Sequence, residues 1–164
     1  MKYLKYFFIA GVLLIASSYT TRSSEISKGL YPGNLMPELK LNDNAGKTLN
    51  LERLKGVKVL VNFWAAYDAK SHMENVLLWN TLLKENYPVV MVSVSFDKTK
   101  SVFEKTLNMD GIDPKHQYFE ALGTDSEIYK RYELERGFKN YLIDENGQIM
   151  AMNLTPTDLG RLMK

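Results

Sequence analysis

Two runs of apolar and β-branched residues dominate the chain, Val57 to Trp64 and Val89 to Phe96. Neither alternates cleanly between polar and apolar, so each is predicted as a strand buried on both faces. Between them, Ser71 to Tyr87 carries apolar residues at Met73, Val76, Leu77, Leu78, Trp79, Leu82 and Leu83. That spread is wider than one narrow stripe, as expected of a helix packed closely on a sheet, and it places Met73 and Trp79 in the core. Pro88 stops the helix, and the resulting strand–helix–strand unit is predicted to be parallel and right-handed.

Upstream, Glu38 to Leu41 alternates, Asn44-Ala45-Gly46 reads as a turn, and Lys47 to Leu51 pairs back as the second arm of a hairpin. Leu51 to Leu54 suits a short helical turn ended by Gly56. Downstream, Asp97 or Thr99 is expected to cap a helix through Leu107, followed by a loop to Pro114 and a short strand within Gln117 to Leu122. Thr124 with Glu127 forms a capping box for a short helix through Tyr132. Phe138 to Asp144 then reads as a strand, Glu145-Asn146-Gly147 as a hairpin turn, and Gln148 to Asn153 as the return strand. Thr155-Pro156 opens a final helix, with the proline suited to its first turn.

The first buried strand passes through Ala65-Ala66 into Tyr67-Asp68-Ala69-Lys70-Ser71. Asp68 can cap a helix, and Ser71 with Glu74 repeats the Ser-x-x-Glu capping box, so a helix begins within this stretch. A buried strand that turns into a helix at a small, polar corner is where an α/β protein usually keeps its chemistry.

At the N-terminus, the basic Met1 to Lys5 precedes an apolar run from Tyr6 to Ala16 and the small residues Ala16-Ser17-Ser18. The run is shorter than the roughly 20 residues of a membrane-spanning helix and has the pattern of an export signal over 1–18, with an uncleaved anchor as the alternative. Residues 19–28 then form a flexible leader, and 29–164 a single domain. Any membrane contact is expected only through an uncleaved N-terminal segment. Removing 1–18 takes away Lys2 and Lys5 and no acid, so the net charge of +2 falls to zero. The mature domain therefore gives no reason to expect nucleic acid.

Cysteine is absent from all 164 residues. Stability must come from packing, which a hydrophobic content of 45% makes feasible. No Gly-rich phosphate loop and no Gly-x-Ser-x-Gly setting occurs. Asp68 and His72, four positions apart, would share a face if the helix starts early enough, and such a pair could serve acid–base work or a metal. His116 is the only other histidine, so no metal set and no cofactor is expected.

The corner Phe63-Trp64-Ala65-Ala66-Tyr67-Asp68-Ala69-Lys70-Ser71-His72-Met73-Glu74 resembles the F-W-A-x-W-C-x-x-C-x-x-E signature of thioredoxin-fold proteins. The nearest branch is the periplasmic thiol-disulfide (TlpA/ResA-like) one, which the upstream hairpin and Leu51-x-x-Leu54-Lys55-Gly56 also resemble. The resemblance implies a thioredoxin-like α/β fold: a central mixed sheet flanked by helices, with an N-terminal β-hairpin extension. It also puts Asp68 and Ser71 where the two redox cysteines belong. Tyr141-Leu142-Ile143-Asp144, Gly147 and Ile149 match the strand that in the family opens with a cis-proline facing those cysteines. Phe138 falls at the proline's place, or Gly137 with a shift of one residue. A non-proline cis bond costs about 2.5–4 kcal/mol, so the loop is expected to be trans.

A carboxylate at the helix start would enjoy the stabilisation that lowers a thiolate's pKa, yet it cannot exchange disulfides, and a serine cannot resolve one. The expectation is a redox-inactive envelope protein that binds an envelope protein or peptide through Tyr67, Asp68, His72 and Phe138. Three alternatives stand beside it. Asp68 and Ser71 are simply helix-start residues; the pair Asp68–His72 runs non-redox chemistry; or the chain binds partner disulfides without reacting.

Overall fold

The computed structural model describes residues 26–42 and 48–163. The expected export signal, the leader up to residue 25 and the turn Asn44-Ala45-Gly46 lie outside the described residues. The first contacts of the fold are already made at Ser27, whose carbonyl accepts from the Leu35 amide at 2.9 Å.

The expected architecture is observed. β1 (Lys40–Asn42) and β2 (Thr48–Asn50) form the antiparallel N-terminal hairpin. β3 (Lys58–Trp64), β4 (Val89–Ser95), β5 (Gln117–Phe119), β6 (Asn140–Ile143) and β7 (Ile149–Met152) make one mixed sheet in the order β5-β4-β3-β6-β7. β3, β4 and β5 run parallel, and β6 and β7 add antiparallel on the other side. Four helices accompany the sheet among the described residues: α1 (Ala69–Glu85), α2 (Lys100–Asp110), α3 (Glu127–Arg131) and α4 (Pro156–Leu162).

The central strand shows why its sequence is so apolar. Val59, Val61 and Phe63 point into one core with Leu39, Leu41, Ile128, Tyr132, Leu134 and Tyr141. Leu60 points the other way, against Leu78 and Leu82 of α1 and Leu159 of α4, and Trp64 packs with Phe103 and Leu107 of α2. A strand sandwiched like this has no solvated face to spend on polar residues. Its one buried polar residue, Asn62, is satisfied: its side-chain amide donates to Asn75 Oδ1 at 2.8 Å, and the Ser93 hydroxyl donates to the same oxygen at 2.7 Å. Residue 62 of β3, 75 of α1 and 93 of β4 are thus pinned in register by one acceptor.

Several elements start and stop differently from the sequence reading. α1 begins before Ser71, because the Asp68 side chain accepts the Ser71 amide at 2.8 Å and is itself the N-cap. It ends at Glu85, with Asn86 in the left-handed conformation, since Pro88 bars Tyr87 from helical geometry. Met73 is not core: it is 62% exposed, and Leu77 and Leu83 are exposed too, because α1 is covered only on the side facing the sheet. Trp79 does pack against both clusters on that side. Thr99, not Asp97, caps α2, which runs past Leu107 to Asp110. Ser126, not Thr124, caps α3, its hydroxyl accepting the Tyr129 amide at 3.1 Å. The strand predicted from Phe138 starts at Asn140, and β5 ends at Phe119. The final helix opens as expected, with a complete capping box between Thr155 and Asp158.

Removing the shared acceptor should be costly. Asn75→Ala leaves the Asn62 amide and the Ser93 hydroxyl buried and unpaired, at about 1–3 kcal/mol each, and a destabilisation of this size should appear in urea unfolding. Tyr141 offers the opposite case, since its hydroxyl is buried without a partner. Burial, followed by the nearby Glu133 and Tyr31, pushes its phenol up to about 12. A raised folded-state value means stability is intact below the ordinary phenol range and is lost as pH climbs from about 10 to about 12. Tyr141→Phe should hold or raise stability at pH 7 by up to about 1 kcal/mol and make that alkaline loss shallower, as followed by circular dichroism.

Candidate functional site

The corner after β3 lies at the carboxyl ends of β3 and β4, the crevice position where open α/β sheets bind ligands. Two of its backbone amides find partners within a few residues. The Asp68 amide bonds to the Ala65 carbonyl at 3.0 Å, and the Ala65 amide donates to the Ser71 hydroxyl at 3.3 Å. That hydroxyl in turn donates to the Asp68 carbonyl at 3.3 Å. Asp68 and Ser71, the two positions matched to redox cysteines, are therefore hydrogen-bonded to each other through side chain and backbone. Ser71 is buried and Asp68 half-buried.

A residue that sequence reasoning offered only as a helix cap completes the corner. Asp97, at the end of β4, is 3% exposed. Its Oδ1 accepts the Ala66 amide at 2.7 Å, and its Oδ2 accepts the Ser95 hydroxyl at 2.7 Å. The signal was there to be read: an acid directly after a fully buried strand must meet something at the carboxyl edge of the sheet. Neither Asp68 nor Asp97 forms an ion pair among the described residues.

The Asp68–His72 pair is not formed. The His72 backbone amide bonds to the Asp68 carbonyl at 3.0 Å as the first turn of α1, while the Asp68 side chain turns inward to cap. The His72 ring instead stacks on Trp64, with centroids 5.6 Å apart, and places Nε2 2.7 Å from Oδ2 of Asp110 at the end of α2. It ties two helices together. Asp110 carried no sequence signal, because the contact depends on how α2 crosses the sheet. His116 precedes β5, at the opposite end of the parallel strands, and burial and Lys115 lower its pKa. Among the described residues no group of three or more His, Asp or Glu side chains is placed to hold a metal.

The Phe138 loop does reach the corner. Gly137 enters it at φ 111°, ψ 152°, a conformation that essentially only glycine adopts. No peptide bond among the described residues is cis. The Phe138 ring lies 6.3 Å from Tyr67, 5.8 Å from Phe96 and 6.4 Å from Tyr129 of α3. Tyr67 stands 57% exposed above this cluster. Burial, then the Tyr129 phenol and the carboxylates of Asp97 and Asp68, raises the pKa of the Tyr67 phenol. Tyr129 is a site residue that sequence reasoning missed; nothing in its short helix marks it.

This sheet order, with its N-terminal hairpin and a strand-to-helix corner facing the loop before β6, defines a thioredoxin-like protein whose redox positions carry no sulfur. The chain belongs to the Redoxin family, whose model matches residues 31–160. It is similar to a thioredoxin-like protein from Parabacteroides distasonis, at 36% identity and a TM-score of 0.72, covering 85% of this chain and 98% of that one. A thiol-disulfide oxidoreductase from Bacteroides fragilis is 26% identical with a TM-score of 0.61, covering 77% of this chain and 95% of the other. The thiol-disulfide oxidoreductase ResA of Bacillus subtilis is 23% identical over 144 residues, 86% of this chain and 78% of ResA.

The capping role of Asp68 can be separated from its charge. Asp68→Ala should cost about 1 kcal/mol, whereas Asp68→Asn should recover most of it, since asparagine caps about as well as aspartate. Urea midpoints of the two variants check this.

Proposed function

We propose that this protein is a redox-inactive thioredoxin-like module of the cell envelope that binds or helps assemble a protein or peptide partner. The observation that carries the reading is the pair Asp68–Ser71: the positions matched to both thiols are held by a carboxylate that accepts the Ser71 backbone amide and a hydroxyl that donates to the Asp68 backbone carbonyl. Disulfide exchange needs a thiolate to attack and a second thiol to resolve the mixed disulfide. A chain with no cysteine can supply neither.

What persists at the corner supports recognition. Tyr67 and Phe138 present apolar ring surface where the family's substrate loop lies, and surfaces of exposed aromatics are favoured for binding because rings bring large area at little entropy cost. Asp68 contributes charge beside them. His72, bound to Asp110, serves by fixing the start of α1 rather than by meeting the partner directly. The envelope placement rests on the basic-apolar-small pattern of residues 1–18.

Two measurements test this. Insulin reduction by the pure protein with dithiothreitol should run no faster than the buffer control, and catalysed turnover would overturn the redox-inactive reading. A photo-crosslinking benzoylphenylalanine at position 67 should capture an envelope partner, and the same group at Val57, exposed at the opposite end of β3, should not. Capture from both positions alike, or from neither, would remove the corner as the binding surface.

A further inference from the structure

Gln117 opens β5 and is a buried residue whose side chain takes no part in the hydrogen bonding of the fold. It is 7% exposed, yet neither its side-chain oxygen nor its nitrogen has a partner among the described residues. A buried carboxamide left in this way is costly, and it holds a donor and an acceptor side by side. A flip of the amide changes nothing, because both atoms are free. The backbone around it is fixed: the Gln117 amide donates to the Pro114 carbonyl at 3.1 Å, and Gln117 pairs in register with Ser93 of β4.

The neighbours of Gln117 fix where its side chain points. Successive residues of a strand face opposite ways. Tyr118 lies in the core shared with the hairpin, so Gln117 faces the other side, as does its partner Ser93, whose hydroxyl reaches Asn75 of α1. On that side α2 and the loop after it enclose a cavity of about 250 Å³ against Gln117. A second cavity, beside Tyr118 and Arg53, is on the face turned away from the Gln117 side chain. Phe103 and Leu107 of α2, with Ile112, are the buried apolar walls of the first; Glu104, Asn108 and Pro114 are exposed at its mouth. Pockets for drug-sized ligands span about 300–1,000 Å³, so this one suits an occupant nearer to a single ring. Its one charged lining residue, Glu104, lies 3.8 Å from Lys100 at the surface, which leaves no counter-ion for a charged occupant. A buried water usually bridges about three polar groups, whereas the buried walls here supply the Gln117 amide alone.

We propose that this cavity binds a small neutral molecule that carries a primary carboxamide on an apolar body. The ligand carbonyl accepts from Gln117 Nε2, a ligand N–H donates to Gln117 Oε1, and Phe103, Leu107 and Ile112 cover the body. One ligand group thus satisfies both orphaned functions. A ketone or ester of the same shape satisfies only one, and a carboxylate brings an unpaired charge against apolar walls. The site lies at the start of β5, the opposite end of the parallel strands from the Tyr67 corner, so it stands apart from the binding surface there.

The test titrates the full chain with benzamide, acetophenone and benzoate, three probes of one shape. NMR follows the Gln117 side-chain NH2 and the methyl groups of Leu107 and Ile112. Benzamide should give saturable shifts at all three residues. Acetophenone, which lacks the donor, should bind about fivefold more weakly or worse, and benzoate should not saturate. Gln117→Met keeps an unbranched side chain and removes both polar functions, so it should bring benzamide down to the acetophenone level. Equal affinity for benzamide and acetophenone, no saturable shift with benzamide up to its solubility, or an undiminished preference for benzamide in Gln117→Met would overturn the proposal. Should that variant not fold, the probe series on the unaltered chain decides.

Discussion

The chain must leave a strand buried on both faces and enter a helix within four residues, Ala65 to Asp68. A buried amide left unpaired there costs about 1–3 kcal/mol, and three of the four N–H groups of the turn are matched. Ala65 finds the Ser71 hydroxyl, Ala66 finds Asp97, and Asp68 finds the Ala65 carbonyl. Asp68 then returns the debt by capping the Ser71 amide. The same few side chains therefore close the turn, start α1 and fasten it to the end of β4. Everything placed at the carboxyl edge of the sheet, including Tyr67 above and Trp64 below, takes its position from that closure.

The two faces of the sheet solve different problems. Toward α1 and α4 the fully buried side chains are aliphatic, and uniqueness comes from the Asn62–Asn75–Ser93 contact, which would be broken by a slip of one residue in β3 or β4. Toward the hairpin and α3 a chain of aromatic contacts runs through the core. Phe63 meets Tyr132 at 4.8 Å, Tyr141 at 6.3 Å and Phe96 at 6.1 Å, and Phe96 passes contact on to Phe138 and Tyr129. The ring cluster at the surface is thus the outer end of a continuous aromatic core. Tyr132 anchors its inner end to the N-terminal segment through a 2.7 Å bond to the Pro37 carbonyl. Rings braced in this way lose little freedom when something docks on them.

Long-period features were legible in the sequence. Val57 to Trp64 and Val89 to Phe96 gave the buried parallel pair, and the corner motif with the Tyr141 to Ile149 match gave the fold and the two facing loops. Contacts set by how helices cross the sheet were not. Met73 and Leu77 look like core by composition, yet the outer side of α1 is bare, so the pattern alone overstated burial. Asp68 and His72 share helical spacing, but one is drawn inward as a cap and the other toward Trp64 and Asp110. Spacing fixes which side chains can meet; competing partners decide which do. Asp97 was visible as an acid after a buried strand, but its partner across the corner, the Ala66 backbone amide, is one that no side-chain pattern reports.

Replacing two thiols by a carboxylate and a hydroxyl also changes how many states the corner can occupy. A cysteine pair at a helix start exists reduced or joined, and the surface above it shifts its charge and shape with that choice. Asp68 and Ser71 have no covalent alternative: their bonds hold one geometry whatever the redox poise around them. The surface formed by Tyr67, Phe138 and Tyr129 is therefore presented over one fixed arrangement. Constancy is a handicap for an electron carrier, which works by alternating. Under the binding reading proposed above it is the property that matters, and it follows from the same hydrogen bonds that close the corner.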